Sequence, residues 1–268
     1  MDENKQKRLL RFTKPLLILF TVVLLGVWLW FTPPGLFGKA DAVGYSVCHQ
    51  IPERSFEIGE RVFPLCARCS GMYLGAFVTF LYQLKRKRAG ELPPKKILFL
   101  LGFLLLLFAI DGSNSYLHFF INAPSLYEPN NTLRLITGLG LGIGMAAILY
   151  PIFNQSIWVD WLPISPVNSW VDLVKLALIN AALFLIIRSS NLLLMFSLAL
   201  ISTGTVVFML CMIYTILITM LLKKENSFRQ MNEIKWMALA GFCCAIFQIG
   251  VMDLMRFWLT GTWSGFSL

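Results

Sequence analysis

Apolar residues in this chain occur in long blocks that are separated by short polar or basic segments. Blocks of about 15 to 30 residues without strict alternation favour membrane-spanning helices over the strands of a barrel. Lipid offers no hydrogen-bond partner to backbone amides and carbonyls, so each span must form its backbone hydrogen bonds internally. The pattern predicts an all-α, polytopic helical membrane protein. About seven spans are expected, near residues 15–31, 69–84, 97–110, 132–153, 171–187, 192–222 and 236–259.

The composition supports this class, because 57% of the residues are hydrophobic and only 14% are charged, which is unusual for a soluble domain. The third span is short and ends at Asp111, so Asp111 and the polar residues after it are expected at membrane depth. The fourth span contains four glycines at alternate positions, and such small residues let another helix approach closely. These are Gly138, Gly140, Gly142 and Gly144.

The net charge of +9 is consistent with basic residues that flank the cytoplasmic ends of membrane spans. The basic residues cluster beside the apolar blocks, within residues 5–14, 85–96 and 223–235, as the positive-inside rule predicts for cytoplasmic flanks. We therefore expect a plasma or inner membrane protein with membrane lipids as partners and no nucleic acid. Residues 1–14 would form a basic cytoplasmic N-terminus. Residues 15–153 and 154–268 would form membrane regions of about four and three helices.

The loop between the first two spans lies on the outer side in this topology, and its segment 40–71 concentrates the reactive side chains. Zn²⁺ favours thiolate and imidazole ligands, and a CxxC turn presents two sulfurs to one ion. The expected metal ligands are Cys48, His49, Cys66 and Cys69, with zinc as the expected ion. Such a site would join the loop to the second span, or would activate a water at an open position.

Two other uses of these cysteines remain open. The outer compartment permits disulfides, and a CxxC motif at the start of a helix has a lowered thiol pKa. Cys66 and Cys69, with Cys48 as a third thiol, would then make the protein a thiol–disulfide oxidoreductase linked to a quinone. A disulfide from Cys48 to Cys66 or Cys69 would instead hold the loop of a non-enzymatic scaffold or a transporter-like protein.

Several ionisable residues on or next to other predicted helices map to the same outer side: Asp111, His118, Arg134, Asp253 and Arg256. Ionisable residues at membrane depth are costly and usually face a cavity or a partner. Guanidinium groups form bidentate hydrogen bonds with phosphates and carboxylates. Arg54, Arg68 and Arg134 are therefore expected to bind an anionic or lipid-like substrate.

The candidate catalytic residues are His49, Arg68, Asp111 and Arg134. A histidine near its ordinary pKa is suited to act as a general base, and an adjacent carboxylate can fix its tautomer. Asp111 would do so for His49 or His118. The sequence does not decide whether the protein is an enzyme.

The segments CHQIPERSF and FPLCARCSGMYLG precede an aspartate–glycine pair and an asparagine-containing segment before the glycine-rich span. Together they resemble an uncharacterised family of prokaryotic membrane proteins that is defined by a domain of unknown function. The resemblance covers roughly residues 40–145 and implies no reaction. It implies two groups of signature positions: first Cys48, His49, Gln50, Arg54, Ser55, Phe56, Pro64, Cys66, Arg68, Cys69 and Gly71; then Asp111, Gly112, Asn131, Arg134 and Gly138.

Overall fold

The computed structural model describes residues 3–118 and 126–265. This part of the chain contains eight α-helices and one antiparallel hairpin. The helices are α1 (Glu3–Phe31), α2 (Gly35–Val47), α3 (Ala67–Gln83), α4 (Lys95–Leu117), α5 (Asn131–Ile157), α6 (Trp170–Arg188), α7 (Leu192–Leu221) and α8 (Met231–Thr260). The hairpin strands are β1 (Ser55–Ile58) and β2 (Arg61–Cys66), and a short 3₁₀ turn, Pro52–Arg54, precedes β1.

Each of the seven predicted spans coincides with a helix, which confirms the all-α membrane class. Six of the described helices, α1 and α4 to α8, are long and apolar enough to cross a membrane by length and composition. Helix α3 has only 17 residues. It packs against α5, α6 and α7, so its neighbours bury much of its surface. Helix α4 continues past Asp111 to Leu117, and Asp111 is buried within the protein. Its depth in the membrane stays a prediction.

The first loop has regular structure that the sequence pattern did not reveal. Helix α2 has no side-chain cap and contains three glycines, so its intrinsic helix signal is weak. The close packing of α2 against β2 requires the glycine at position 44, because a Cβ on Gly44 would lie 2.0 Å from the Pro64 carbonyl oxygen. The strands are four and six residues long and turn at Gly59, which has a φ of +60°. Their pairing of Ser55 with Cys66 returns the chain to the end of α2.

Helices α3 and α5 form the most extensive helix contact, and they meet backbone to backbone. A Cβ at Gly138 would lie 2.2 Å from the Arg68 carbonyl oxygen, and one at Gly142 would lie 2.2 Å from the Met72 carbonyl oxygen. On the opposite side, a Cβ at Gly71 would lie 2.5 Å from the Leu135 carbonyl oxygen. Small residues four apart on both helices therefore allow this approach.

The hairpin lies over one end of the helical bundle, which we call the site face. Ile58 and Phe63 of the hairpin join a buried cluster with Leu183 and Ile187 of α6 and Met195 of α7. Four helix ends lie at the same end of the bundle: the N-termini of α3 and α5 and the C-termini of α4 and α8. Their contacts are described below. The predicted outer residues are thus gathered at one face.

The opposite end, which we call the basic face, gathers the predicted basic flanks that the structure describes. Arg88 donates to the Arg229 carbonyl, and Trp158 pairs with Phe228 through a backbone bridge. Lys14 lies 5.2 Å from the ring centroid of Trp236. Residues 154–170 carry no Lys or Arg but lie at this end as well. The side chains of residues 5–11 are outside the described part.

We expect Gly138→Ala to lower the free energy of unfolding by about 1–3 kcal/mol, because the added methyl would overlap a backbone carbonyl that cannot rotate away. Gly144→Ala in the same helix is the matched control, since its Cβ would lie 3.8 Å from Leu101, an ordinary contact. Denaturant titration of the purified protein measures both. Equal stability of the two variants would contradict the proposed backbone contact.

Candidate metal centre and arginine cluster

Three cysteines converge where α2, β2 and α3 meet. Cys48 is the C-cap of α2, Cys66 ends β2 and is the N-cap of α3, and Cys69 lies in the first turn of α3. Their sulfur atoms all lie within 4.8 Å of one another, and we call them the cysteine cluster. Cys48 and Cys66 are buried, Cys69 is partly buried, and all three are free thiols.

The cysteine cluster is polarised. The Cys66 amide donates to the Cys48 sulfur over 3.2 Å. Hydrogen bonds from the Cys48 and Cys69 thiols place the pKa of the Cys66 thiol well below its ordinary value. The pKa of Cys48 rises to about 12, chiefly because its thiol donates to Cys66. Cys66 is therefore the preferred site of negative charge in the cluster.

His49 lies beside the cysteine cluster without joining it. Its Nδ1 accepts a hydrogen bond from the Ile51 amide over 3.2 Å. Burial lowers the pKa of His49, against the raising effect of Cys66, and nearby arginines lower it further. The imidazole is therefore neutral near neutral pH. Among the described residues, only the three cysteines meet the spacing of a metal site.

Gln50 makes the turn that brings His49 and Cys48 to the hairpin. Its φ of +52° is a left-handed conformation that is uncommon for a residue with a side chain. The Gln50 amide nitrogen donates to the Asp41 and Pro64 carbonyls, each over 2.9 Å. These bonds hold the end of α2 against β2.

A buried ion pair joins α3 to α4. Arg68 Nε donates to Asp111 Oδ2 over 2.8 Å, and its terminal nitrogen contacts the same carboxylate oxygen at 2.6 Å. Arg68 also donates to the Ser115 hydroxyl over 2.8 Å. Tyr127 donates to Asp111 Oδ1 over 2.8 Å, and burial followed by this bond raises the pKa of Tyr127 to about 12. Both Asp111 oxygens therefore have donors.

Arg54 and Arg134 lie near Arg68, and we call the three the arginine cluster. Arg54 donates to the Ser115 carbonyl over 2.9 Å. Burial and the charges of Arg134 and Arg68 lower the pKa of Arg54 to about 10. Arg134 is buried and donates to Asn131 Oδ1 over 2.8 Å. Within the described part of the chain, its buried Nε has no hydrogen-bond partner.

Helix α8 closes the other side of the cysteine cluster. Arg256 donates to the carbonyls of Tyr45, Cys48 and His49 over 2.5–3.0 Å, and it lies over the Tyr45 ring at 3.9 Å. Because one guanidinium binds three carbonyls at and just after the C-terminus of α2, it fixes the end of this helix. Arg256 is thus a positioning residue for Cys48.

The structure brings most of the sequence candidates together, but in different pairings. Asp111 is paired with Arg68 and Tyr127, so it does not orient His49 through a hydrogen bond in the described contacts. His118 is exposed at the C-cap of α4. Cys211, Cys243 and Cys244 lie on α7 and α8 and are not part of the cysteine cluster.

Sequence reasoning missed Tyr127 and Ser115, and it named Asn131 only as a position implied by the family resemblance, without its contact. Asn131 donates to the Glu53 carbonyl over 3.2 Å and so ties α5 to the start of the hairpin. The signal that could have found it is the pair Asn130–Asn131, because an asparagine before an apolar run is typical of a helix start. Nothing in the local pattern around Tyr127 indicates its bond to Asp111.

The cysteine cluster fits a zinc ion. Zn–S bonds of about 2.3 Å in a tetrahedral site separate the sulfurs by about 3.8 Å, so small side-chain rotations are sufficient. The three sulfurs leave one coordination position for His49, water or an external ligand. Zinc bound there would join α2, β2 and α3, and would supply a Lewis-acidic centre.

The comparisons place the site within a known family. The model of the family described as "Predicted membrane protein (DUF2085)" matches residues 48–148. A protein of Methanothermobacter thermautotrophicus is 39% identical over 102 residues, which is 38% of this chain and 83% of that protein. A protein of Methanocaldococcus jannaschii is 33% identical over 118 residues, or 44% of this chain and 70% of that protein. Both are described as uncharacterized. No solved structure matches the chain.

We expect Asp111→Asn to destabilise the protein by about 3–5 kcal/mol, because it leaves the buried charge of Arg68 without a counter-charge. Asp160→Asn is the matched control, since Asp160 is 59% exposed and pairs with Arg88 at the basic face. We expect that exposed pair to contribute less than about 1 kcal/mol. Denaturant titration separates the two cases, and a wild-type stability for Asp111→Asn would contradict this assignment.

Proposed function

This chain belongs to the DUF2085 family of predicted membrane proteins, and on that premise we propose that its site face binds a zinc ion and an anionic group. The anionic group is the phosphate of a lipid headgroup or a free phosphate. The observation that carries this proposal is the convergence of three cysteine sulfurs within 4.8 Å beside the arginine cluster, in which Arg54 and Arg134 are buried.

Charge balance supports the pairing of these two clusters. The arginine cluster carries three positive charges, and Asp111 neutralises one of them. A zinc ion with three thiolates carries one net negative charge, which offsets a second. Counting only these residues and the ion, one positive charge remains, and a bound anion would offset it.

The arginines divide into a structural member and two that are suited to binding. Arg68 is occupied by Asp111 and Ser115. Arg134 retains a buried Nε without a partner among the described residues. Arg54 lies close enough for its pKa to respond to Arg134. An anion between Arg54 and Arg134 would relieve their repulsion and satisfy the Arg134 Nε with a charge-assisted bond.

Thiol–disulfide exchange is the second candidate function. Cys66 and Cys69 begin α3 as a CxxC pair, and the lowered pKa of Cys66 is the feature that favours exchange. Cys48 and Cys66 are buried and Cys69 is only partly exposed, which limits attack by a protein partner, because exchange requires access to a sulfur. Zinc binding is therefore preferred. A quinone partner belongs to this second candidate only.

We expect the full-length protein, purified in detergent, to retain about one zinc per chain by elemental analysis, because three thiolates and a fourth ligand give a closed site. Cys66→Ser should lose the metal, since it removes the most acidic thiol of the cluster. Cys211→Ser is the matched control and should retain it. The absence of metal together with a reducible disulfide between cluster cysteines would favour exchange or a scaffold with a stapled loop.

We expect Arg134→Gln to weaken anion binding by about tenfold or more, because a charge-assisted hydrogen bond contributes about 1.5–3 kcal/mol. Arg188→Gln, an exposed arginine on the same face, is the control. Titration calorimetry with inorganic phosphate tests the free ion. Mass spectrometry of retained anionic phospholipid tests the headgroup source. Unchanged binding of both probes to Arg134→Gln would contradict the assignment.

We also propose that the protein is a multi-pass protein of the plasma or inner membrane, with the basic face and N-terminus cytoplasmic and the site face extracytoplasmic. The clustering of Lys and Arg at the basic face supports this orientation. Glu60→Cys in the hairpin turn should react with an impermeant thiol reagent in intact cells, and Lys87→Cys should not. Both positions are exposed. The reverse pattern would show the opposite orientation.

A further inference from the structure

We propose that a groove between α1 and α8 binds a membrane lipid whose hydroxyl group donates a hydrogen bond to Asp253. The inference rests on the geometry of these two helices and does not depend on the zinc site. Both helices lie outside the family match at residues 48–148. The groove therefore belongs to the part of the chain that surrounds the shared core.

The groove has the size and lining of a site for a lipid chain. Its volume is about 520 Å³, and its walls are almost entirely apolar. Phe31 of α1 and Leu254 of α8 line it and are 71% and 70% exposed, so the groove opens sideways where lipid would lie. Helix α1 packs chiefly on α8, which leaves this side of the pair open.

Asp253 is the polar exception in this apolar wall. Asp253 is only 2% exposed. Its Oδ2 accepts a hydrogen bond from Trp28 Nε1 over 2.9 Å. Its Oδ1 is buried and has no hydrogen-bond partner among the described residues. A buried acceptor without a donor costs free energy, so a ligand that brings a donor is favoured there.

The position of Asp253 indicates which ligand fits. Asp253 lies seven residues before the end of α8, or about 10 Å below the site face. That depth is near the boundary between headgroups and hydrocarbon. A lipid can place its chain along the apolar walls and a hydroxyl at this level.

The groove is close to the metal centre through shared packing, although its ligand does not contact the sulfurs. Trp28, Cys48 and Cys66 belong to one buried cluster, and Trp263 packs against it while lining the groove. A lipid in the groove would therefore stabilise α1 against the core that positions the cysteine cluster.

The test uses two probes with the same acyl chain, monoolein with free hydroxyls and methyl oleate without any. The full-length protein is equilibrated with equal mole fractions of both in a zwitterionic detergent, and bound lipid is counted by native mass spectrometry. Wild type should retain monoolein about tenfold more than methyl oleate, because its hydroxyl supplies a hydrogen bond to a buried oxygen that otherwise has none among the described residues. Asp253→Leu, which is similar in volume, should lose this preference.

A second variant keeps the test informative if Asp253→Leu does not fold. Val27→Trp fills the groove and should reduce the binding of both probes. Val174→Trp is the matched control, because Val174 lines a different apolar groove between α4, α5 and α6. Equal retention of the two probes by wild type would overturn the proposal. Binding to Val27→Trp at the wild-type level would do the same.

Discussion

The backbone contact between α3 and α5 is the constraint on which the site depends. Carbonyl oxygens of one helix lie where a Cβ of the other would be, so only glycine is compatible at Gly71, Gly138 and Gly142. In lipid, where hydrophobic association between helices is weak, such close van der Waals packing is a principal source of helix affinity. Because α3 begins with Cys66 and α5 begins near Arg134, this contact also fixes the distance between the cysteine and arginine clusters.

The site is therefore assembled from helix ends rather than from one loop. Arg68 and Asp111 connect α3 to α4, Asn131 connects α5 to the hairpin, and Arg256 connects α8 to the end of α2. Each connection uses a charged or amide group that would be costly in lipid alone. Their shared location at one face explains why a mostly apolar chain retains so many buried polar groups there.

The sequence predicted the helical class, the spans and the grouping of outer residues because these depend on local periodicity and on charge along the chain. It also identified Gly138 and Gly142 as contact positions. It could not give α2, whose glycines hide its helical pattern, or the pairing of Asp111 with Arg68 and Tyr127. Those depend on contacts between residues far apart in sequence. The metal role of His49 stays a prediction.

X-ray absorption at the zinc K edge of the purified full-length protein reports the atoms bound to the metal. We expect three sulfur neighbours at about 2.3 Å and one nitrogen or oxygen neighbour. A metal shell of oxygen and nitrogen alone would contradict it, since the cysteine cluster would then have another role. Zinc-free protein with an intact Cys66–Cys69 disulfide would contradict it as well.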